Sequence, residues 1–270
     1  MPELPEVETT RRGIAPLITG RRVVRVAVRN PHLRWRVPTR LVRELPGQTI
    51  ENVTRRAKYL LLTTSAGSVI IHLGMSGSLR IIDSSLAPGI HEHVDIVFDN
   101  GRCLRLRDPR RFGAVLWTNK FTQHPLLAEL GPEPLGKGFD AIYLFNVSRG
   151  RRRAVRDLLL DGHIVAGIGN IYANEALFAA GVRPQRPAGR LSHQQCDRLV
   201  RSIRSTLTRA LRAGGTTLRD FQNPEGRPGH FQLKLNVYGR QGQPCPRCGK
   251  KIRQVRLGQR SAFFCTKCQL

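Results

Sequence analysis

The first residues of the chain combine a proline with two acidic side chains. The sequence opens MPELPEVETT, and removal of Met1, which a small second residue favours, would leave Pro2 as the terminus. The ring nitrogen of Pro2 is then a secondary amine that is less basic than a lysine side chain, so more of it is unprotonated near neutral pH. Such an amine is a nucleophile able to form a Schiff base. Glu3 is its neighbour, and Glu6, one helical turn further on, is placed to support it.

The C-terminal segment carries a metal-ligand pattern. Two Cys-x-x-Cys pairs are separated by residues 249–264, the arrangement of a tetrathiolate zinc site on a β-hairpin; the pairs are Cys245 with Cys248 and Cys265 with Cys268. Disulfides and an iron-sulfur cluster are the alternatives. Four thiolates complete a tetrahedral shell, so we expect one structural Zn²⁺ without a catalytic position. The isolated Cys103 and Cys196 are expected to be buried bystanders.

Three polar residues stand where a phosphate could be bound, each with a simpler alternative. Arg260, in GQRSAFF, is expected near the tip of the hairpin, where it enters a phosphate groove or is a solvated charge. Lys58, directly before an apolar strand, is a second amine, a phosphate clamp or a solvated strand end. Asn170, in GIGNIY, is predicted to cap a helix ending at Gly181, where backbone N–H groups can bind phosphate.

Further candidates lie in three short motifs. HEHVD places His91, His93 and Asp95 on one face of a strand, which permits a metal triad, a phosphate contact or plain strand-edge polarity. HLGMSGS and DPRRFG each place a bulky side chain, Met75 or Phe112, in a glycine-bearing turn. These two side chains belong either to the core or, in a DNA-binding protein, to wedges inserted into a base stack.

The charge of the chain narrows the class of partner. The 270 residues include 45 Lys and Arg against 19 Asp and Glu, for a net charge of +26 and a pI near 11.5. Basic clusters occur throughout, and no apolar run is long enough to cross a bilayer. Nucleic acid is therefore a better partner than a membrane surface. The N-terminus lacks a signal-peptide pattern, so we expect a cytoplasmic protein.

The first half of the chain predicts a helix followed by strands. A helix is expected from about Pro5, with an apolar stripe formed by Val7, Ile14, Leu17 and Ile18. Between residues 21 and 117, strands are expected at RVVRVAV, KYLLLTT, SVIIHLG, VDIVFDNGRCLRLR and GAVLW. Within the fourth of these, DNGR predicts a hairpin with a type I′ turn. The first domain should be mostly antiparallel β.

The second half predicts helices. One is expected across RRRAVRDLLL, and the clearest is SHQQCDRLVRSIRSTLTRALRAGG, with its apolar stripe at Leu199, Ile203, Leu207 and Leu211. Residues 216–244 are predicted to begin as a long functional or flexible loop and to continue into a strand at LKLNVYG.

Together, these motifs resemble one family. PELPEVET, RRAKYLL, HLGMSGSLR, DPRRFG, GIGNIYANEALF, GGTTLRDF and the four-Cys finger with GQR resemble the bacterial formamidopyrimidine-DNA glycosylases, in the family's order and along the whole chain. The resemblance implies an α+β protein with an N-terminal β-sandwich domain carrying the terminal helix (1–125), a helix-two-turn-helix domain with a lesion-capping loop (126–235) and a zinc finger (236–270). DNA would bind in the cleft.

The resemblance also implies site residues. Pro2 would attack the deoxyribose C1′ to form an imine, with Glu3 as acid or base at the sugar, Lys58 assisting β-elimination and Arg260 taking part in δ-elimination. Glu6 is expected to support the terminus. The residues implied to contact DNA are His72, His91, Arg110, Arg151 and Asn170. Those implied to fill the gap left by an everted nucleotide are Met75, Arg110 and Phe112.

The implied function is excision of 8-oxoguanine and formamidopyrimidines from duplex DNA, with cleavage of abasic sites, by a monomer. Alternatives are a non-catalytic binder of damaged DNA and the pyrimidine preference of the sister endonuclease VIII, which typically begins with Gly where this chain has Leu4. The chain departs from the family's pattern at Arg156, where Lys is usual, and at Gly162, where an amide residue is usual. Both departures bear on lesion recognition.

Overall fold

The fold is described from a computed structural model, which covers residues 2–214 and 235–270. The chain divides into two compact units, the first containing residues 2–128 and the second residues 129–212 and 235–270. The predicted lesion-capping loop lies mainly outside the described residues.

The first unit is a β-sandwich that carries a helix. Its opening helix is α1 (Leu4–Ile18), and two short helices, α2 (Thr39–Glu44) and α3 (Pro125–Ala128), follow later. One antiparallel sheet has the strand order β1 (Val23–Val28), β6 (Glu92–Phe98), β7 (Arg102–Arg107), β5 (Ser78–Asp83). The other has the order β2 (Asn52–Arg56), β3 (Tyr59–Thr63), β4 (Ser68–His72), β8 (Ala114–Thr118). A single apolar core joins both sheets and α1, which confirms the predicted sandwich.

Helix α1 begins as its sequence predicts. The Glu6 carboxylate accepts a hydrogen bond from the Glu3 backbone N–H at 2.9 Å, and Pro5 lies in the first turn, where the absence of an N–H does no harm. The buried stripe consists of Leu4, Val7, Ile14 and Ile18. The expectation that Leu17 belongs to this stripe is wrong, because its side chain lies at the surface.

Two strands were not predicted, and both lie at the edge of a sheet. Strand β2 buries only Val53, and strand β5 buries its side chains in an incomplete alternation. An edge strand needs fewer apolar residues than a central one, so its sequence gives a weak apolar pattern.

The hairpin between β6 and β7 is confirmed, but its predicted turn type is wrong. Gly101 has a φ of +76°, whereas Asn100 stays on the negative side, and type I′ needs a positive angle at both. The Gly101 N–H donates to the Phe98 carbonyl at 3.2 Å. This is a turn of the type I kind followed by a left-handed glycine, which forms a bulge.

The second unit is helical and ends in a β-hairpin. Its helices are α4 (Ala141–Ser148), α5 (Val155–Leu159), α6 (Asn170–Ala180) and α7 (His193–Arg212), and its hairpin consists of β9 (Arg253–Leu257) and β10 (Arg260–Phe264). In α7 the predicted stripe residues Leu199, Ile203 and Leu207 are buried, and Leu211 is half-buried. No described helix combines the length and apolar character needed to cross a membrane.

Two predictions in this unit are wrong. The helix expected across RRRAVRDLLL begins only at Val155, because Ala154 is extended and pairs with Pro187 as an isolated bridge. The strand expected at LKLNVYG is absent over its described residues, 235–239. There the Glu175 carboxylate accepts hydrogen bonds from the backbone N–H groups of Asn236, Val237 and Tyr238. These three bonds curl the chain around the carboxylate.

Candidate active site

The start of α1 holds the residues with nucleophilic and acid-base potential. Pro2, Glu3 and Glu6 are all buried, although two of the three are acidic. The bond from the Glu3 N–H to Glu6 fixes the backbone next to Pro2. The helix N-terminus also favours negative charge, so it stabilises the carboxylates there. This geometry is what the supporting role predicted for Glu6 requires.

Lys58 lies in a tight turn of the same unit. Strands β2 and β3 pair from Arg56 with Tyr59, which leaves Ala57 and Lys58 as a two-residue turn directly before β3. Ala57 has a φ of +53°, in the left-handed region that favours glycine. Backbone strain of this kind persists only where the surrounding structure holds it, and it is common at functional sites.

His72 ends strand β4 close to Lys58. Its Nδ1 accepts a hydrogen bond from the Gly74 N–H at 3.0 Å, and its ring lies against Tyr59 with centroids 4.9 Å apart. Burial, reinforced by the positive charges of Lys58 and Arg34, lowers the pKa of His72 from 6.5 to about 4. The imidazole is therefore neutral at physiological pH with its proton on Nε2, and it can donate a neutral hydrogen bond.

Two loops that carry the motifs HLGMSGS and DPRRFG are locked together. The buried carboxylate of Asp108 accepts from Ser76 Oγ at 2.8 Å and from the Gly113 N–H at 2.7 Å. The loops also touch backbone to backbone at Gly74, where a Cβ would lie 2.4 Å from the carbonyl carbon of Phe112. Gly74, with a φ of +62°, is thus required both by its conformation and by this approach.

The locked loops present two large apolar side chains to the surface. Met75 is 41% exposed and Phe112 is 44% exposed, and the Arg110 guanidinium lies 4.8 Å from the centre of the Phe112 ring. Neither residue belongs to the core of the sandwich. An exposed methionine and an exposed phenylalanine held on neighbouring rigid loops are suited to contact with unstacked bases.

The metal interpretation of HEHVD is wrong. His91 precedes β6, and a register shift between Glu92 and Val94 breaks the alternation on which the shared face depended. The His93 Nε2 lies 2.9 Å from the Asp108 carbonyl oxygen. Arg29 and Arg105 form salt bridges with Asp95. Within residues 2–214 and 235–270, the one group of His, Cys, Asp and Glu with metal-ligand geometry is the four cysteines.

In the second unit, Asn170 has a different role from the predicted cap. Gly169 is the cap of α6, and Asn170 is the first residue of the helix. Its Oδ1 accepts from Arg156 Nη1 at 3.1 Å, and its Nδ2 donates to the carbonyl of Ser261 in β10 at 2.9 Å. The start of α6 is thereby joined to the hairpin.

Arg260 and Arg151 are both exposed in this unit. Arg260 is the first residue of β10, beside the turn at residues 258–259, so its predicted place near the hairpin tip is confirmed. Arg156 is fully buried, and its Nη2 donates to the carbonyl oxygens of Leu257, at 2.8 Å, and of Arg260, at 3.4 Å. Arg156 thus links Asn170 to the hairpin tip, a role for which sequence patterns gave no signal.

The four hairpin cysteines form a site suited to one metal ion. Their Sγ atoms lie within 4.8 Å of one another, with 3.9 Å between Cys245 and Cys268 and 3.5 Å between Cys248 and Cys265. Zn–S bonds of about 2.3 Å in a tetrahedron place sulfur atoms about 3.8 Å apart. The residues therefore fit a single Zn²⁺, with too little room for a multi-iron cluster. The ion would join the segment that precedes β9 to the segment that follows β10.

Comparison with known proteins matches three family models to successive parts of the chain. Residues 1–115 match the formamidopyrimidine-DNA glycosylase N-terminal domain, residues 130–222 its H2TH domain, and residues 242–270 the zinc finger found in FPG and IleRS. The formamidopyrimidine-DNA glycosylase of Stutzerimonas stutzeri is 55% identical over 269 residues, which cover all of both chains. The chain belongs to the formamidopyrimidine-DNA glycosylase family.

Solved structures of the family share the fold. The Fpg protein of Thermus thermophilus is 40% identical, with a TM-score of 0.89 over 99% of this chain and 98% of that one. Lactococcus lactis Fpg in complex with DNA containing an abasic site is 32% identical, with a TM-score of 0.91 over 99% of both chains. A Lactococcus lactis variant bound to Fapy-dG DNA has a TM-score of 0.92 at 31% identity.

The structure groups the residues implied by the family resemblance within each unit. In the first unit, Lys58 and His72 lie close together, and Met75, Arg110 and Phe112 share the two locked loops. In the second unit, Asn170 and Arg260 are linked through Arg156. Sequence reasoning missed Asp108 and also Asn174, whose Oδ1 accepts from the Phe263 N–H of the hairpin, and it did not predict the buried linking role of Arg156. A polar residue that bonds inside the fold looks like any surface residue in the sequence.

Gly162 lies in a close chain contact. Its carbonyl accepts from the Gly131 N–H at 2.9 Å, and a Cβ built on it would be 3.4 Å from the Leu130 side chain, an ordinary van der Waals contact that a larger residue can make.

Proposed function

We propose that this glycosylase-family chain removes oxidised purines, 8-oxoguanine and formamidopyrimidines, from duplex DNA and then cleaves the abasic site. The observation that carries the proposal is the buried Pro2–Glu3 segment, joined to Glu6 at the start of α1, in a chain with full-length relatives of this family. The Lactococcus lactis enzyme is seen with Fapy-dG DNA and with abasic DNA, the substrate and the intermediate of such a reaction.

The chemistry begins at the terminal amine. After Met1 is removed, the Pro2 nitrogen attacks C1′, and the bond from C1′ to the base nitrogen breaks as the base leaves. The sugar ring opens when the C1′–O4′ bond breaks, Glu3 gives O4′ a proton, and the Pro2 nitrogen becomes an iminium ion. Since the iminium acidifies the C2′ proton, loss of that proton expels the 3′ phosphate, and a second elimination expels the 5′ phosphate. Hydrolysis of the imine frees the enzyme.

The remaining side chains serve these steps. We assign proton transfer in the first elimination to Lys58 and a part in the second to Arg260. Neutral His72 donates a hydrogen bond from its Nε2–H to a phosphate oxygen, and Asn170 and Arg151 also contact the DNA backbone. His91 is a further backbone contact. Met75, Arg110 and Phe112 fill the space of the everted lesion, because the sugar must leave the stack before an amine can reach C1′.

The net charge of the chain supports DNA as the partner. A net charge of +26 attracts a polyanion, so we place the protein on chromosomal DNA in the bacterial cytoplasm, as a monomer with one structural Zn²⁺.

Trapping of the imine tests the proposal. Borohydride should convert the intermediate with an 8-oxoguanine or Fapy-dG duplex into a stable protein–DNA adduct, and an undamaged duplex should give none. An extra residue before Pro2, which turns the Pro2 nitrogen into an amide, should abolish the adduct while zinc content and unfolding temperature stay unchanged. Intact mass should show that Met1 is removed. If wild-type protein without Met1 binds the lesion duplex but neither forms an adduct nor nicks it, the chain is a non-catalytic binder.

Lesion preference needs a separate comparison. The test compares the rates at which one protein preparation nicks duplexes containing 8-oxoguanine, Fapy-dG or thymine glycol in single-turnover reactions. The purine assignment predicts faster nicking of the two purine lesions. Faster nicking of thymine glycol than of both purine lesions would indicate an endonuclease VIII-like preference and contradict the purine assignment.

A further inference from the structure

A partly buried ion pair joins helix α1 to the turn that carries Lys58. Arg55, in strand β2, donates from Nε to Glu8 Oε2 of α1 at 3.3 Å and from Nη1 to the carbonyl oxygen of Ala57 at 2.9 Å. The side chains of Arg55 and Glu8 are both only 13% exposed. One guanidinium thus connects the N-terminal helix with the two-residue turn of Ala57 and Lys58, entirely within the first unit.

The carboxylate of Glu8 is held by further arginines. Arg11 donates to both of its oxygens, at 3.0 and 2.9 Å, and also reaches the Val53 carbonyl of β2 at 3.2 Å. Arg12 donates to it from the exposed side of the helix, at 2.9 Å. Burial acts to raise the pKa of Glu8, but hydrogen bonds from Arg11 and Arg12 and the charge of Arg55 lower it below its usual value. The Glu8 carboxylate therefore stays ionised at neutral pH.

The conformation of the Ala57–Lys58 turn explains what the hydrogen bond from Arg55 contributes. Ala57 has a φ of +53°, which is unfavourable for a residue with a Cβ. The bond from Arg55 to the Ala57 carbonyl stabilises this conformation, in which the chain turns at Lys58. Helix α1 is in turn the element that carries Pro2 and Glu3 at its start.

We propose that Glu8 and Arg55 are positioning residues, which hold the Lys58 turn in register with the helix that presents Pro2. This inference rests on the proposed function. Elimination from the imine requires the Lys58 amine at a defined distance from a sugar that is already bonded to Pro2. A displacement of about 1 Å can slow such a step by about 100-fold. Loss of the pair should therefore slow strand cleavage more than imine formation.

The two steps can be measured separately on one substrate. With a duplex containing a preformed abasic site, borohydride trapping follows imine formation, and gel analysis follows strand cleavage in the same single-turnover reaction. We expect Arg55→Met and Glu8→Gln to trap adduct at a rate within about threefold of wild type but to cleave the strand about tenfold or more slowly. The matched control is Arg12→Met, which removes another arginine from the same carboxylate without touching the turn and should leave both rates unchanged.

A conservative variant and a double variant complete the test. Arg55→Lys keeps the charge but cannot span Glu8 and the Ala57 carbonyl together, so it should share the cleavage defect and remain folded even if Arg55→Met does not. The double variant Glu8→Gln with Arg55→Met should be no slower than the worse single variant, because both changes break one linkage. Amide hydrogen exchange at residues 56–59 should rise in each, independently of activity.

The outcomes separate this inference from the proposed function. Wild-type protein that traps no adduct contradicts the proposed function, and the exchange measurement still tests the linkage. If wild type is active, wild-type cleavage by folded Arg55→Lys overturns the positioning role, as does an equal fall in trapping and cleavage.

Discussion

At the residue scale, His72 is neutral because it is buried and because its neighbours oppose a positive charge. Its Nδ1 accepts the Gly74 N–H, and Lys58 and Arg34 lie near enough to oppose a positive charge on the ring. A neutral donor can bind a phosphate oxygen without a change of protonation, so His72 can contact DNA equally well throughout the neutral pH range.

The His72 pKa leads to a prediction on pH and stability. Burial lowers the folded-state pKa from 6.5 to about 4, so the unfolded chain binds the proton more readily between these values. The stabilisation is complete above pH 6.5 and is lost as pH falls towards 4, by about 3 kcal/mol in all. Denaturant unfolding of wild type and His72→Gln should show a smaller loss in the variant over this window. A folded-state pKa of about 6 for His72, measured by NMR titration, would contradict the prediction.

The link between Ser76 and Asp108 leads to a second prediction at this scale. Asp108→Asn turns one acceptor into a donor that faces Ser76 Oγ or the Gly113 N–H, so unfolding free energy should fall by about 2 kcal/mol. Binding to lesion duplex should weaken as well, since Met75 and Phe112 lose their common support. The control is Asp83→Asn, at an exposed carboxylate that accepts from Ser85, which should change neither measurement. Unaltered stability in Asp108→Asn would show that the loops are held by other contacts.

At the element scale, the zinc hairpin depends on the metal and on α6. Phe178 of α6 packs in one small cluster with Val237, Ile252 and Phe263. The Phe263 N–H donates to Asn174 Oδ1 at 2.7 Å. A two-stranded hairpin is marginal alone, so we expect both supports to be needed.

Metal removal should therefore act on one element. Cys245→Ser, or chelation of the wild-type protein, should release one zinc per chain and abolish nicking. Amide protection should be lost at residues 253–264 but retained in the β-sandwich, because that core contains no residue of the hairpin. Cys196→Ala, which alters an isolated buried thiol, should keep the zinc when metal content is measured by mass spectrometry. Loss of protection throughout the sandwich would show that zinc supports the whole fold.

At the scale of the whole molecule, the net charge governs encounter with DNA. Exposed arginines occur in both units, and Arg110, Arg151 and Arg260 are among them. Each phosphate neutralised by a basic side chain releases counterions, so affinity falls steeply with salt.

Binding to undamaged duplex should show this dependence. If six to ten phosphates are contacted, affinity should fall about 10³- to 10⁵-fold between about 50 and 200 mM salt. Arg110→Ala should make the slope of log K against log salt shallower by about one, whereas Ile142→Ala, at an exposed apolar residue of α4, should leave it unchanged. Equal slopes for wild type and Arg110→Ala would exclude Arg110 as a phosphate contact in undamaged DNA.

Much of the architecture follows from local patterns in the chain. The periodicity of α7, the apolar central strands and the Cys-x-x-Cys pairs predict their elements correctly, because helical spacing, strand burial and metal ligation each depend on residues near in sequence. The terminal Pro2 with Glu3 likewise needs no tertiary information to suggest an amine nucleophile.

Other features depend on partners that are distant in the chain. The curl at residues 236–238 forms because the Glu175 carboxylate accepts the backbone N–H groups there. Asn170 does not cap α6 as predicted, because its side-chain amide bonds to Arg156 and to the Ser261 carbonyl. A buried polar group takes whichever partner the fold brings to it, since an unpaired one is costly. A one-dimensional pattern therefore predicts where helices and strands form, whereas the three-dimensional packing selects which polar side chains meet and hold the site.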